Sequence, residues 1–494
     1  MYVKGPGGTL VDPPKPESGI FDDRYYLELL LAEVRRCPKV SRQAIVDSYK
    51  GGKRTLYQKA ADSMSVPISL KDSYVKAFVK AEKINLTAKG DPAPRIIQPF
   101  SVRYNLELGR YLKFSEKRIM GAIDRVWGRP TILSGYNCDE QGEKIAGVWK
   151  QFRNPVAIGL DASRWDQHVS RQALVYEMSF YKALFPGDRY LSMLVDMQLD
   201  NRGIAIARDG CVRYSMPGRR MSGVPNTSMG NKILMTSMMH SLRRKLGVDF
   251  ALINNGDDCV VIIESVHEEL FTNSVEEHFL RYGIEMEVEP VTNQLEQLEF
   301  CQAHPVCIGG SWRMVRSLAT SMAKDCYANI SLRTAADCQS WLAAVGLCGV
   351  TINSGVPILQ SFHNAFIRGS AGRKVSKLHL DRIIEYGNVE RMRGISRGVV
   401  PVEGSSRVSF YRAFGVPPSV QVEMEGRFDA LALSITGAPV ETQHELPPSY
   451  PLCLLTIRGL EKAYSWDKLQ SAHRPPRLLR FKSICLFPRQ LQLS

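Results

Sequence analysis

The stretch "ALINNGDDCVVIIE", residues 251–264, places two adjacent aspartates between two apolar runs. The residues before and after the bend are β-formers, which predicts a hairpin with residues 254–257 at or near its tip. Asp257 and Asp258 then project from one edge of a sheet. Adjacent anions repel each other, although a solvated aspartate at a turn is common. The stretch alone therefore does not separate a binding site from an ordinary turn.

A divalent cation removes the repulsion between neighbouring carboxylates. Oxygen ligands suit Mg²⁺ or Mn²⁺, and two such ions about 3.5 to 4 Å apart can stabilise the attacking and leaving oxygens of a phosphoryl displacement. Such a site needs a further carboxylate from another strand. The stretch "AIGLDASRWDQH", residues 157–168, offers Asp161 at the end of an apolar run that is predicted to be a strand. Aspartates spaced as Asp161 and Asp166 also arise by chance in many proteins.

A third element lies in "RRMSGVPNTSMGNK", residues 219–232. Ser222 and Gly223 fall in a predicted loop, and Thr227 and Asn231 share one face of the predicted helix that follows. Taken singly, Thr227 fits a helix start and Asn231 fits a surface amide. The ordered set D-x4-D, S-G-x3-T-x3-N and G-D-D is much harder to obtain by accident than any one of its parts.

The composition is that of a folded globular protein, with 44% hydrophobic and 23% charged residues in a chain of 494. Its 11 cysteines form no C-x-x-C pair and no zinc-type spacing, which predicts reduced, cytosolic thiols. No apolar run approaches the roughly 20 residues of a membrane span, and the first residues lack the apolar core of a signal peptide. We therefore expect no intrinsic membrane span.

The net charge of +14 favours a polyanionic partner. The charge is uneven, with 18 basic against 10 acidic side chains in residues 51–150, and nine against two in 201–250. Residues 251–300 carry one against twelve. Solvated faces explain many such runs, but an acidic segment between basic flanks suits a metal site beside a phosphate track.

Periodicity and breakers predict the elements around these motifs. A Gly- and Pro-rich arm is expected over residues 1–20, loop and strand over 71–95, and helical and irregular segments over 315–440. A buried strand is expected at 154–161. Helices are predicted at 22–37, 41–50, 101–120, 172–185 and 223–247.

The ordered set of motifs resembles the palm of viral RNA-dependent RNA polymerases. Further blocks are similar to those of the replicases of the tombusvirus family of plus-strand RNA viruses, namely "FVKAEK", "PRIIQP", "YNLELGRYLK", "SGVPNTSMGN", "NNGDDCV", "EFCQAHPV" and "WRMVR". The resemblance runs from about residue 5 to about residue 330 and fades toward the C-terminus.

That resemblance implies an α+β fold shaped like a right hand. The expected parts are an N-terminal strap and fingers over residues 1–155, a palm over 156–325 and a mostly helical thumb with a basic tail over 326–494. A fingers insertion is expected near 190–215. The palm is expected to hold an antiparallel sheet with flanking helices.

The resemblance also implies the reaction, which is the addition of ribonucleotides to an RNA 3′ end on an RNA template. Asp161 and Asp257 would hold two Mg²⁺ or Mn²⁺ ions, with Asp258 assisting. When bound, these ions would lower the pKa of the primer 3′-hydroxyl and neutralise the leaving pyrophosphate. Gly256 fits a close approach of the primer end, where a side chain would intrude.

Selecting RNA over DNA requires a contact that depends on the ribose 2′-hydroxyl. By the resemblance, the nucleotide-binding set is Asp166, Ser222, Gly223, Thr227 and Asn231. Reverse transcriptases are similar in this region but usually carry an aromatic residue where Asp166 stands. Asp166 and Asn231 therefore argue against that relative.

The basic stretch before residue 95 resembles the fingers segment that lines the nucleotide channel. Lys80, Lys83 and Arg95 are expected to meet the triphosphate, and Arg95 can bind two phosphate oxygens at once. Lys80 and Lys83 also fit plain surface lysines. Arg219 and Arg220 precede the ribose-reading loop, where contacts to the template backbone and simple solvation are equally compatible with the sequence.

The block "EFCQAHPV", residues 299–306, is expected to form the small hairpin that grips the primer strand, with Cys301 and His304 near RNA. A buried structural cysteine is an equal alternative for Cys301. Met286 and Phe300 are expected in the core. Many related polymerases carry a lysine after the catalytic hairpin, but residues 281–300 contain only Arg281 as a base. The general acid is therefore unassigned.

Expected partners are the RNA template and product, ribonucleoside triphosphates and a viral auxiliary replication protein. Replicases of this family typically extend a membrane-anchoring protein by readthrough of a stop codon, and "KGPGGTL" resembles sequence just after such a junction. We expect a location in the host cytoplasm, at membrane-bound replication sites reached through an anchor outside this chain. The habit of the family suggests initiation without a primer.

Two alternatives come from other functional classes. A catalytically silent RNA-binding scaffold with a polymerase fold would keep the basic surface but would not need the carboxylates. A metal-dependent nuclease or phosphatase would need the acidic cluster but not the ribose-reading loop.

Overall fold

The computed structural model describes residues 3–4, 9–80, 82, 94–207, 210–328, 332, 334–375, 380, 386–434 and 456–458. The chain divides into two compact units by packing. The first unit contains the described residues of 1–80, 95–135 and 140–305, and the second contains those of 81–94, 136–139 and 306–494. The finer division into three parts made from the sequence stays a prediction.

The first unit contains ten strands, among the described residues. They are β1 (Val3–Lys4), β2 (Leu10–Val11), β3 (Val75–Val79), β4 (Ile96–Ile97), β5 (Pro155–Ala162), β6 (Asp200–Ala207), β7 (Gly210–Pro217), β8 (Phe250–Asn254), β9 (Cys259–Glu264) and β10 (Met286–Val288). Its helices are α1 (Tyr25–Glu33), α2 (Arg42–Asp47), α3 (Gly51–Asp62), α4 (Val102–Leu112), α5 (Glu116–Trp127), most of α6 (Cys138–Trp149), α7 (Trp165–His168), α8 (Arg171–Leu184), α9 (Arg189–Asp196), α10 (Thr227–Leu246) and α11 (Glu268–Arg281).

A central antiparallel sheet has the strand order β10-β5-β9-β8. All five residues of β8 are buried, and so are the first five of β9, because these apolar runs lie inside the main core. Helix α10 contacts β8, and α11 contacts β10. Met286 and Phe300 are both 4% exposed, which confirms their predicted place in the core.

A second sheet of the first unit has the order β4-β3-β6-β7. Strands β6 and β7 form a long hairpin, and β6 pairs parallel to β3 with Val75 opposite Gly203. The segment 190–215, predicted as an insertion, thus supplies part of α9 and most of two strands that extend the sheet begun by β3 and β4.

Most predicted helices are present, with corrected ends. The helix expected at 101–120 is in fact two helices, because the chain turns at residues 113–115, where the Ser115 hydroxyl donates to the Tyr111 carbonyl. Helix α1 is shorter than the expected 22–37, since Val34 is already extended. Helix α10 begins at Thr227 and ends at Leu246, and the next residue, Gly247, has the left-handed φ of +64° typical of a helix end.

The second unit is mostly helical over its described part. Its elements are β11 (Ala303–Ile308, which starts in the first unit), β12 (Ser311–Arg316), α12 (Leu318–Asp325), α13 (Ala335–Asn353), α14 (Leu359–Gly369), α15 (Tyr386–Arg391), α16 (Gly404–Phe414), α17 (Pro418–Asp429), β13 (Ala432–Ser434) and β14 (Thr456–Arg458). Helices α13 and α14 pack on each other around a separate apolar core that includes Trp341, Phe362 and Phe428.

Helix α13 corrects the expectation that no apolar segment approaches the length of a membrane span. By length and composition alone it is apolar enough to cross a membrane, and it is one such helix in the described part of the chain. Most of its residues, Trp341 and Leu342 among them, are buried inside the unit, as is usual for a core helix of a folded domain.

Candidate active site

The turn between β8 and β9 carries the Gly-Asp-Asp sequence, as the hairpin prediction required. The buried side chain of Asn254 braces it, since its Nδ2 donates to the Gly256 carbonyl at 2.7 Å and its Oδ1 accepts from the Gly256 N–H at 3.1 Å. Gly256 has a φ of +99°, a conformation that side chains disfavour. Asp257 and Asp258 are therefore presented, both exposed, on a turn of fixed shape.

Asp161 lies at the same end of the central sheet. Leu160 of β5 pairs with Cys259 of β9, so the next residues toward the turn are Asp161 and Asp258. Partial enclosure raises the pKa of Asp258, and the negative charges of Asp257 and Asp161 raise it further. The structure thus brings the three aspartates into one electrostatic cluster, where an added cation would be stabilising.

Additional carboxylates border this cluster. Glu287 of β10 stands opposite Asp161 in the sheet register. The pKa of Glu289 is raised by burial and then by Glu299, Asp161 and Asp258. The sequence showed an acidic segment but gave no reason to place Glu287 or Glu289 beside Asp161, because that placement depends on the antiparallel pairing of β10 with β5.

The donor chemistry fits a divalent cation. Among the described residues, no three His, Cys, Asp or Glu side chains are already arranged as a closed metal cage. The three aspartates nevertheless offer only exposed carboxylate oxygens, the ligand type that Mg²⁺ and Mn²⁺ prefer. Their mutual repulsion, which adds to the effect of burial in raising the pKa of Asp258, is what a bound cation would relieve.

Asp166 and Asn231 form a second polar group beside the turn. Burial raises the pKa of Asp166 to about 6, and the charge of Asp257 also raises it, while Arg220, a hydrogen bond from Asn231 and Arg95 act in the opposite direction. Asn231 on α10 is 6% exposed, and its Oδ1 accepts from Arg220 Nε at 2.9 Å. The structure therefore brings these predicted site residues together with the aspartate cluster.

The loop that contains Ser222 and Gly223 is held against β4 and the residues after it, next to Arg95. Ser222 Oγ accepts from the Gln98 N–H at 3.1 Å and donates to the Ile96 carbonyl at 3.4 Å. A Cβ at Gly223 would lie 2.5 Å from Pro99 Cα, so this contact requires glycine. The Thr227 hydroxyl donates to the Met221 and Val224 carbonyls and so closes the loop on itself. These contacts fix the loop, which the sequence motif alone did not reveal.

The described residues of the predicted triphosphate-binding segment extend the second sheet. The Lys80 N–H donates to the Arg95 carbonyl at 2.8 Å, which continues the pairing of β3 with β4. The charge of Arg95 partly offsets the raised pKa of both Asp166 and Asp258, so Arg95 lies within electrostatic reach of the site. Lys83 lies outside the described residues.

Two expectations near the site need correction. For Arg220 the sequence leaves contact with the template and simple solvation equally open, but its side chain is fully buried and pairs with Glu177, so neither fits. The alternative of a buried structural Cys301 is also wrong, because this residue is exposed. Its Sγ lies 3.7 Å from Asp258 Oδ2 and 3.6 Å from Asn255 Nδ2, beside the turn.

Arg219 and His304, two further residues that the sequence motifs place near RNA, are both partly enclosed by the protein. Arg219 has a φ of +70°, and burial lowers its pKa. Its N–H donates to the Val169 carbonyl at 2.9 Å. Burial also lowers the pKa of His304.

Sequence reasoning missed Glu177 and Gly230. Glu177 lies on the apolar face of α8, between Leu174 and Tyr181, and a lone carboxylate within such a face was an available signal. A Cβ at Gly230 would lie 2.1 Å from Glu177 Oε1, so the glycine of "NTSMGN" admits that carboxylate against α10.

Comparison with known proteins decides the family. A family model described as viral RNA dependent RNA polymerase matches residues 1–436. The chain belongs to this family. The resemblance drawn from the motifs is thereby confirmed.

Individual relatives agree with this assignment. The chain is 44% identical over 450 residues to a protein of Barley yellow dwarf virus (isolate MAV), covering 90% of this chain and 51% of the relative. It is 42% identical over 447 residues to the RNA-directed RNA polymerase of Tobacco necrosis virus (strain A), covering 90% and 61%. It is 40% identical over 441 residues to the RNA-directed RNA polymerase of Tomato bushy stunt virus (strain Cherry), covering 89% and 53%. The chain therefore spans between half and two thirds of these relatives' lengths.

Proposed function

We propose that this chain is the catalytic part of a viral replicase, which adds ribonucleotides to an RNA 3′ end on an RNA template and releases pyrophosphate. The observation that carries the proposal is the Asp166 and Asn231 pair beside the aspartates of the β8–β9 turn. A nuclease or phosphatase needs the aspartates but has no use for a ribose-reading pair. A silent scaffold needs neither.

The proposed architecture is the right hand, with fingers in residues 1–155 and 190–215, a palm in 156–325 and a thumb in 326–494. The joining of β6 and β7 to β3 supports the assignment of 190–215 to the fingers, since one sheet is built from both segments. The central β10-β5-β9-β8 sheet, with α10 and α11 against it, suits a palm.

Polymerases of this family work with divalent metal ions, and we infer that Asp161 and Asp257, assisted by Asp258, hold two Mg²⁺ or Mn²⁺ ions. When bound, such ions activate the primer 3′-hydroxyl and neutralise the leaving pyrophosphate. The protein contributes three carboxylates whose directions are fixed by β5 and by the Asn254-braced turn. Fixed ligand directions reduce the reorganisation that the reaction requires.

The remaining site residues bind and orient the incoming nucleotide. The ionised Asp166 carboxylate would accept a hydrogen bond from the ribose 2′-hydroxyl, and the Asn231 amide would donate one to it. Arg95, whose charge reaches the site, and Lys80 would bind the triphosphate. Ser222, Gly223 and Thr227 would act by fixing the loop between these groups, and Gly256 and Cys301 would lie near the primer end.

The wider setting is part of the same proposal. The net charge of +14 supports sequence-independent binding of template and product RNA, which weakens as the salt concentration rises. We propose initiation without a primer, an auxiliary viral replication protein as partner and membrane-bound replication sites in the host cytoplasm as the location.

A templated incorporation assay tests the function. The purified chain is supplied with an RNA template, labelled ribonucleoside triphosphates and Mg²⁺ or Mn²⁺, and we expect a complementary product that disappears when the metal is chelated. RNA binding is measured in parallel. Binding without incorporation at any metal concentration would favour the silent scaffold, and degradation of the template would favour a nuclease.

A further inference from the structure

A buried ion pair lies behind the ribose-reading residues. Arg220 Nη2 donates to Glu177 Oε2 at 2.5 Å, and both side chains are 0% exposed. A buried ion pair is seldom a net source of stability, because the desolvation of two charges offsets their attraction. Its presence in the core therefore points to a demand for a defined geometry rather than for stability alone.

Arg220 reaches the nucleotide-binding residues in two ways. Its Nε donates to Asn231 Oδ1 at 2.9 Å, and its backbone N–H donates to the Asp166 carbonyl at 2.9 Å. Because the amide oxygen of Asn231 faces Arg220, the amide nitrogen is the end that bonds to the Asp166 carboxylate. With the opposite orientation, the Asn231 oxygen would face that carboxylate and the hydrogen bond would be lost.

Glu177 is itself held from several sides. Its Oε1 accepts from Tyr181 Oη at 2.9 Å and from Asn226 Nδ2 at 2.8 Å. Asn226 Oδ1 in turn accepts from Gln198 Nε2 at 3.0 Å. Gly230 leaves the space for the Glu177 carboxylate against α10, as described above. The carboxylate thus has little freedom to move away from Arg220.

We propose that Glu177 and Arg220 are positioning residues for sugar selection: the pair locks the Asn231 amide in the orientation that reads the 2′-hydroxyl together with Asp166. This inference rests on the proposed function and goes beyond it, because neither residue touches the nucleotide. Weakening the pair should reduce the preference for ribonucleotides over deoxyribonucleotides, because it lowers the incorporation of ribonucleotides and leaves that of deoxyribonucleotides unchanged.

The sharpest variant is Arg220→Lys. Lysine keeps the positive charge beside Glu177, but it has no equivalent of Nε held in the guanidinium plane and so cannot bond to Glu177 and Asn231 in the same geometry. We expect the ratio of kcat/KM for ATP to that for dATP to fall about tenfold, the loss typical of one hydrogen bond to a charged group. The fall should come mainly from slower use of ATP, because dATP has no 2′-hydroxyl for the Asn231 amide to bind.

A second variant removes both charges and leaves hydrogen-bonding side chains in their place. Glu177→Gln combined with Arg220→Gln should unfold at a higher temperature than Glu177→Gln alone, because the single change leaves the Arg220 charge buried without its partner. The double variant should not regain discrimination, since the bond to Asn231 is absent. Full recovery of both stability and discrimination would show that the pair acts only in folding.

A matched control is Glu107→Gln. Glu107 is also 0% exposed and pairs with two arginines, Arg42 and Arg110, but it lies on α4 and is not part of the ribose-reading group. This control should lower the unfolding temperature and leave the ATP to dATP ratio unchanged. An equal change of that ratio in Glu107→Gln and Arg220→Lys would overturn the proposal.

Equilibrium binding separates this inference from the proposed function. The affinities of the full chain for ATP and dATP, measured without turnover, should differ in the wild type and converge in Arg220→Lys. Absence of incorporation with this binding pattern intact would count against the polymerase assignment alone. A wild-type ratio that Arg220→Lys and Glu177→Gln both preserve would refute the positioning role while leaving the polymerase assignment standing.

Discussion

Asn231 of α10 packs against Gly256 of the β8–β9 turn: a Cβ built on Gly256 would lie 3.5 Å from the Cβ of Asn231. The residue assigned to sugar recognition and the turn that presents Asp257 are therefore direct neighbours. A substitution at either residue should therefore alter the position of the other. The effects on stability, rate and sugar selection can be measured separately.

Gly256→Ala should slow incorporation much more than it destabilises the fold. The added methyl would meet only ordinary contact distances, but a φ of +99° costs a non-glycine residue roughly 1–2 kcal/mol. Relief of that strain would move Asp257, and a shift of about 1 Å can cost about 100-fold in rate. Single-nucleotide incorporation and thermal unfolding measure the two effects.

The control for that variant is Gly247→Ala at the end of α10. Gly247 has a φ of +64° and no atom within 4 Å of an added Cβ, so it reproduces the backbone strain away from the site. We expect a similar loss of stability with an unchanged rate. Equal rate losses in both variants would contradict a specific role for the turn at Gly256.

Ribonucleotide preference should rise with pH, with a midpoint near pH 6. Burial raises the pKa of Asp166 to about 6, so the carboxyl is largely protonated below this pH and ionised above it. Only the ionised form is a strong acceptor for the 2′-hydroxyl. The ratio of kcat/KM for ATP to that for dATP, measured from pH 5 to 7.5, removes pH effects common to both nucleotides. A flat wild-type ratio, or an unchanged slope in Asp166→Asn, would contradict this role.

Gly223→Ala should impair nucleotide binding. The added Cβ would lie 2.5 Å from Pro99 Cα, so the backbone of residues 96–99, next to Arg95, has to move. Overpacking of this kind costs about 1–3 kcal/mol, and we expect kcat/KM to fall about tenfold, mainly through KM. Gly426→Ala on α17, where nothing lies within 4 Å, should leave the kinetics unchanged. A normal KM in Gly223→Ala would mean that the loop tolerates displacement.

The first unit should lose stability as the pH falls from about 6.5 to about 4. Burial lowers the pKa of His278 to about 4, so folding favours its neutral form. The contribution of neutral His278 to the free energy of unfolding is fully present above the unfolded pKa of about 6.5. Acidification removes this contribution, and the loss is at most about 3 kcal/mol. His278→Gln should flatten the dependence of the urea midpoint on pH.

Part of this acid sensitivity should remain in that variant, because burial also lowers the pKa of His240 to about 4. The partly exposed His267 provides the comparison, and His267→Gln should keep the wild-type slope. An unchanged slope in His278→Gln would refute the assigned contribution.

The parts of this structure that depend on short-range pattern could be predicted from the sequence. The hairpin at 251–264 follows from β-formers on both sides of a turn sequence, and α8 and α10 follow from helical periodicity and, for α10, from the closing glycine. The break between α4 and α5 could not be predicted, because the Ser115 contact that ends α4 competes with a helical pattern continuing through residue 120.

The geometry of the site could be predicted only in part, because it depends on contacts between residues that are far apart in the chain. Glu177 and Arg220 are 43 residues apart in the chain, and they meet because the segment before α10 docks on the residues before α8, where the Arg220 N–H donates to the Asp166 carbonyl. The same holds for Glu287, which faces Asp161 through the β5–β10 register. Motif spacing indicated the residues that are proposed to touch substrate, but the groups that contact them from behind became visible only in the folded chain.

The central claim is most directly tested by single-nucleotide incorporation with Asp257→Asn, at matched concentrations of protein, RNA and Mg²⁺. The variant keeps the shape of the turn but removes one proposed ligand charge, and we predict a loss of about 1,000-fold in rate with unchanged RNA binding. Asp200→Asn, at the exposed start of β6, should remain fully active. Wild-type incorporation by Asp257→Asn would contradict the account.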